Sequence, residues 1–196
     1  MVKKHVFVIV DDDARRNAIA EHLSQKHVVH KYMTAREFLM DTTVPSSGVA
    51  IIGARLREKD GILLAKEMEQ SHPDIKSIIL AGASDAPDAI LSNPYDIAIV
   101  PIVYRRLEEQ VAKAFSGEMY SERELVKSFE RLTEREIEIL TLVVEGKSSR
   151  EIGLHLEVST KTVEAHRSKI MSKTRAADVG ELFVMFRQWS SSKVAA

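Results

Sequence analysis

LTEREIEILTLVVEGKSSREIGLHLEVSTKTVEAHRSKI, from Leu132 to Ile170, is the stretch whose spacing decides how the C-terminal part of the chain folds. Thr133 with Glu136 makes a capping box: the hydroxyl takes the backbone N–H three residues on, and the carboxylate returns to the cap. A helix therefore starts here, with Ile137, Leu140, Leu142, Val143 and Val144 as a broad apolar face and Gly146 placed to close it in the left-handed conformation. Ser148 or Ser149 caps a second helix anchored by Ile152, Leu154 and Leu156. After a short turn at Glu157 and Val158, Ser159 or Thr160 caps a third helix running to about Lys173. Two helices joined so tightly form a helix-turn-helix, and the second is the one shaped to lie in a DNA major groove.

Within that third helix Val163, His166 and Ile170 fall toward a core, while Lys161, Glu164, Ala165, Ser168 and Lys169 gather around another face. Glu164, Ala165 and Ser168 suit base edges: a carboxylate accepts from a cytosine amino group, a methyl meets a thymine methyl, and a hydroxyl has several partners. Lys161, Thr162, Arg167, Lys169 and Lys173 suit phosphates, which fix register more than they specify sequence. The same spacing also fits a solvated helix in an α-helical bundle.

The motifs T-E-R-E-x-E-I-L, G-K-S-S-R-E-I-G and S-T-K-T-V-E-A-H-R-S-K-I resemble the LuxR/FixJ-type helix-turn-helix over nearly all of residues 131–185. The resemblance implies a four-helix domain with Val163 and Ile170 in its core, Glu164, Ala165 and Ser168 facing the groove, and Lys161, Thr162 and Lys169 near the DNA backbone. It also implies that the last helix, about Ala177 to Trp189, pairs two copies of the chain on an inverted repeat in double-stranded DNA. Leu182, Met185, Phe186 and Trp189 are then the dimerisation residues. The apolar set from Leu182 to Trp189 reads in part as ordinary core as well, since helices bury one stripe in any case.

Upstream, the pattern changes. Val6 to Val10 is an apolar run ending in Asp11, Asp12 and Asp13, followed by Ala14, Ala18, Ile19 and Leu23 at helical spacing. Further short strands are expected at Val28–Tyr32, Val49–Ile52, Ser77–Leu80 and Asp96–Val100, with helices after Thr34, after Gly61 and from Tyr104 to Phe115. Pro87 and Pro94 leave room for only a short helix between them. Continuous V/I/L strands alternating with helices indicate a parallel sheet covered on both faces. Residues 1–116 are therefore expected to form an α/β doubly wound, five-stranded parallel sheet, 117–130 a linker or helical extension, and 131–196 an all-α helix-turn-helix domain. In such sheets the working crevice lies at the carboxyl ends of the strands, here Asp11 to Asp13, Gly53, Ala81 and Val100.

VFVIVDDD, GARLREKDG, LAGASD and IVPI resemble the first strand and acidic pair, the phosphorylation loop, the fourth-strand switch and the fifth-strand end of a CheY-like receiver domain. That family has a phosphoacceptor aspartate, a Ser or Thr and a Lys where this chain has Gly53, Ala81 and Val100. Glycine offers no nucleophile, alanine no hydroxyl donor and valine no charge for a developing anion. The resemblance therefore implies a pseudo-receiver with a degenerate phosphorylation pocket: Asp11, Asp12, Gly53, Ala81 and Val100. Asp11 and Asp12 with backbone carbonyls form at best a weak divalent-ion site without a further carboxylate. Glu58 and Asp60, further along the loop, read as solvated charges. The crevice is left open between a small apolar-ligand pocket and one packed shut.

The 196 residues carry no cysteine, which excludes disulfides and thiolate chemistry and suits a cytoplasmic location. The net charge of −1 means that DNA affinity rests on local arrangement. No apolar stretch reaches membrane-span length. H-E-x-x-H, G-x-S-x-G and a P-loop are all absent, so no enzyme activity, cofactor or metal is expected. The expected function is a DNA-binding transcription regulator, dimeric and independent of aspartyl phosphorylation, with a protein partner or ligand at the receiver-like half. The alternative is an interaction protein that captures a signalling protein and binds DNA only secondarily.

Overall fold

The computed structural model describes residues 4–57, 59–82, 85–90 and 94–194. Glu58 and the Ala83–Ser84 part of the LAGASD motif lie outside these. The elements run β1 (His5–Ile9), α1 (Asp13–Ser24), β2 (Val28–Tyr32), α2 (Ala35–Met40), β3 (Gly48–Gly53), α3 (Gly61–Ser71), β4 (Ile75–Ala81), α4 (Ala86–Ile90), β5 (Asp96–Ile99) and α5 (Tyr104–Ser116). Five helices follow: α6 (Glu122–Phe129), α7 (Glu134–Val144), α8 (Ser149–His155), α9 (Thr160–Thr174) and α10 (Val179–Val194).

The sheet is parallel throughout, in the order β2-β1-β3-β4-β5. The alternation along each strand sorts the core into two layers. Val6, Val8, Val49, Ile51 and Ile78 face α1 and α5, where Ile19, Leu23, Leu107 and Val111 cover them. Phe7, Ile9, Ala50, Ile52 and Ile79 face the other way, under Phe38 of α2 and Leu64 and Met68 of α3. Each such fully buried side chain is worth roughly 1.5–3 kcal/mol. Because the chain winds outward from β1 on one side and returns beside it as β3 on the other, a crevice opens at the carboxyl ends of these two strands.

Residues 117–130, open between linker and helix in the sequence, contain α6, started by a Ser121–Glu124 capping box. α6 is part of the C-terminal core: Phe129 is fully buried and its ring stacks on Trp189 of α10 at 4.8 Å. The two halves also meet. α4 is a five-residue helix, and α10 packs beside it against β5, covering a strand that would otherwise be a bare sheet edge. Gly180 makes that approach possible, since a Cβ there would lie 2.6 Å from the Ile97 carbonyl oxygen. Among the described residues no helix is long and apolar enough to cross a membrane.

Candidate nucleic-acid interface

Three consecutive caps set the helix-turn-helix. Thr133 and Ser148 each form complete capping boxes with Glu136 and Glu151, and the Ser159 side chain accepts from the Thr162 N–H at 3.0 Å to start α9. Gly146 ends the first of these helices with φ of 85°. Between α8 and α9 the turn is held by the Val158 N–H donating to the Gly153 carbonyl at 2.9 Å. A Cβ on residue 153 would stand 2.7 Å from the Val158 oxygen, so the turn closes only over glycine. Arg135 of α7 donates to the Leu156 carbonyl at 3.0 Å and fixes α8 from the other side. Sequence reasoning missed both residues; a glycine inside a helical pattern was the available signal for the first, and spacing held none for the second.

On α9, Val163 and Ile170 are buried as expected, and His166 is half-buried with an enclosed Nδ1. Lys161, Thr162, Glu164, Ala165, Ser168 and Lys169 are exposed. Their face combines two lysines with groups small enough to approach base edges. The Ser168 hydroxyl donates to the Glu164 carbonyl at 3.1 Å, leaving its lone pairs outward. The N-terminal end of α9, where the Ser159 cap satisfies only the Thr162 N–H, is the end of a helix that favours phosphates.

Two expected members of this face stand elsewhere. Lys173 reaches inward, its Nζ 2.6 Å from the carboxylate of Glu136, which is only 2% exposed. Burial works to raise that carboxyl, but Lys173 and the two Thr133 hydrogen bonds outweigh it and hold it below the usual carboxylate range. Arg167 is half-buried against α7 and α10, beside Leu140, Val143 and Leu182, and burial pushes its guanidinium below its ordinary value. Sequence spacing gives the charge of these residues, but which way a long side chain folds depends on neighbours it does not show.

The dimerisation set is covered by the chain itself. Leu182, Met185 and Trp189 are buried, and Phe186 packs edge-on to Phe129 with ring centres 5.9 Å apart. For a second copy to use these four side chains, α10 must leave its present packing.

At the strand ends, Gly53 closes β3, Ala81 is fully buried at the end of β4, and Val100 follows β5. The space a residue 53 side chain would enter is bordered by Leu56, whose Cδ2 lies 3.4 Å from an ideal Cβ. Asp12 is used as the cap of α1, accepting from the Arg15 N–H at 2.7 Å. Asp11 faces the Arg57 guanidinium at 3.8 Å, so its counter-charge comes from the β3–α3 loop. Asp60 is the cap of α3, accepting from the Ile62 N–H. Among the described residues no three His, Asp or Glu side chains are grouped to hold a metal.

Residues 130–186 match the family described as bacterial regulatory proteins, luxR family. The transcriptional regulatory protein TdiR of Thauera aromatica is 31% identical over 192 residues, covering 92% of this chain and 85% of TdiR. The crystal structure of full-length FixJ from B. japonicum superimposes with a TM-score of 0.55 at 24% identity, covering 97% of this chain and 99% of FixJ. A structure of two RcsB dimers bound to two parallel DNAs gives a TM-score of 0.53 at 21% identity, over 97% of this chain and 99% of that one.

Proposed function

We propose that this chain, which belongs to the LuxR/FixJ family of DNA-binding response regulators, reads inverted-repeat sites as a homodimer and works without aspartyl phosphorylation. Its receiver-like half takes its input from a protein partner or a ligand instead. The observation that carries the reading is the pairing of an intact surface with a dismantled one. Lys161, Thr162, Glu164, Ala165, Ser168 and Lys169 share the exposed face of a capped helix, while Gly53, Ala81 and Val100 stand at the strand ends. The first set has both phosphate and base-edge chemistry; the second lacks a nucleophile, a hydroxyl and a cation. Dimers of RcsB on DNA support the two-copy reading.

The docked α10 gives the input something to act on. A partner shifts the population toward the DNA-binding dimer only as far as it prefers the released arrangement over the docked one.

Selection of bound sequences from a random DNA pool by the full-length protein, at controlled salt, tests this. Enrichment of an inverted repeat supports the reading. Failure to enrich any sequence, together with a stable heterocomplex on purification, transfers the function to capture of a signalling protein.

A further inference from the structure

Behind the DNA-facing side of α9 lies a cavity of about 180 Å³, walled by Leu140 and Val143 of α7, Ile170 of α9 and Leu182 of α10, with the Arg167 guanidinium as its charged member. The volume equals about six water-sized shares at roughly 30 Å³ each. Its lining is apolar apart from one cation, so water gains few hydrogen bonds there while an apolar chain gains contact on several sides.

The cation is the informative part. A guanidinium carries its charge at any accessible pH and presents its donors as a planar fork that matches a carboxylate. Among the described residues no hydrogen bond or ion pair satisfies Arg167. Burial lowers its pKa, and Glu164, on the same helix, is the carboxylate whose charge partly compensates. A partly desolvated cation beside an apolar cavity favours an occupant that supplies the missing anion and fills the space.

We propose that this cavity is a binding site for a small apolar monocarboxylate, its tail between α7 and α10 and its carboxylate on Arg167. The size fits a hexanoate-like molecule. The site lies in the DNA-binding half and is independent of the receiver crevice and of any phosphorylation reading. Occupied, it fixes Arg167 against α7 and α10 and joins α9 to the helix that docks on β5.

The test uses the full-length protein with sodium hexanoate, hexanol and acetate at constant ionic strength, followed by calorimetry and by methyl NMR of leucine, isoleucine and valine. Hexanoate is expected to saturate one site, shifting the methyls of Leu140, Val143 and Leu182, and to bind about tenfold or more tightly than hexanol, as loss of a charge-assisted hydrogen bond predicts. Acetate, with no tail, is expected to bind at least as weakly as hexanol. Arg167→Met should cost hexanoate a similar factor while leaving hexanol unchanged. Val143→Phe, which fills the cavity and keeps the cation, should abolish both. Absence of hexanoate binding to the wild-type protein, equal affinity for hexanoate and hexanol, or shifts confined to other methyls would overturn the proposal. So would undiminished hexanoate binding by either folded variant.

Discussion

Arg106 of α5 bonds Glu181 of α10 at 3.0 Å across the boundary between the two halves. The same guanidinium lies 2.7 Å from Asp178, and the Tyr120 hydroxyl donates to Glu181. Arg106→Met leaves two carboxylates facing one another with their cation removed. All three side chains keep some solvent contact, so the loss is expected at about 2 kcal/mol, below the full buried-pair figure. That corresponds to about a thirtyfold shift toward release of α10. A larger radius of gyration in solution scattering and faster chymotrypsin cleavage after Tyr120, between α5 and α6, are the expected signs. Wild-type values for both would show that apolar packing alone holds the halves together.

Asp96 makes the same boundary sensitive to pH. Burial raises its carboxyl to about 6, against which the Ile97 N–H, Gln110 and Arg106 pull downward and Glu181 pushes upward. A raised carboxyl favours the protonated form in the folded protein. Its stabilising contribution is complete below the ordinary value near 3.8 and is lost as pH rises through about 6. Above that, the ionised group costs about 3 kcal/mol, at about 1.4 kcal/mol for each pH unit of displacement. Asp96→Asn should therefore raise the midpoint of thermal unfolding at pH 7.5 and have little effect at pH 4. Comparing the two proteins cancels the other carboxylates. Parallel profiles from pH 4 to 8 would remove Asp96 from the account.

The strand-end chemistry predicts a negative result that one substitution does not reverse. A small phosphodonor with Mg²⁺ should leave the mass of the wild-type protein unchanged. Gly53→Asp should fold, because its Cβ meets Leu56 Cδ2 at an acceptable 3.4 Å, yet it should gain phosphate slowly or not at all. Ala81 and Val100 still offer no hydroxyl and no cation to the transferring group, and loss of one such stabiliser costs on the order of 10²–10³ in rate. Intact-mass spectrometry reads this directly. A phosphoryl adduct on the wild-type chain would overturn phosphorylation independence.

Local chemistry was legible in the sequence because it acts over three or four residues. The caps at Thr133, Ser148 and Ser159, the closing Gly146 and the apolar strands each follow from neighbours along the chain. Partner choice was less legible. The apolar stripe of α10 shows that it is buried but not against what, and the resemblance pointed to a second copy where the chain supplies β5, α4 and α6. Gly180 shows its purpose only beside the Ile97 carbonyl, a contact that its neighbours along the chain do not reveal. Glu136 was read as a capping residue, but its second role, holding Lys173, depends on a contact across 37 positions.

That contact separates two kinds of lysine on one helix. Lys161 and Lys169 are exposed and should meet phosphates, so replacing either by Ala is expected to weaken binding to all sequences alike. Each should reduce the slope of log affinity against log salt by about 1. Lys173→Met should leave that slope unchanged. Instead it strands a buried carboxylate and should lower the stability of the C-terminal helices by roughly 3 kcal/mol, the scale for removing one partner of a buried pair. Below the ordinary carboxylate range the penalty should fade, since Glu136 then takes up a proton. Salt titrations of DNA binding and chemical unfolding of the three variants distinguish the roles. A reduced salt slope for Lys173→Met at wild-type stability would return that lysine to the DNA surface.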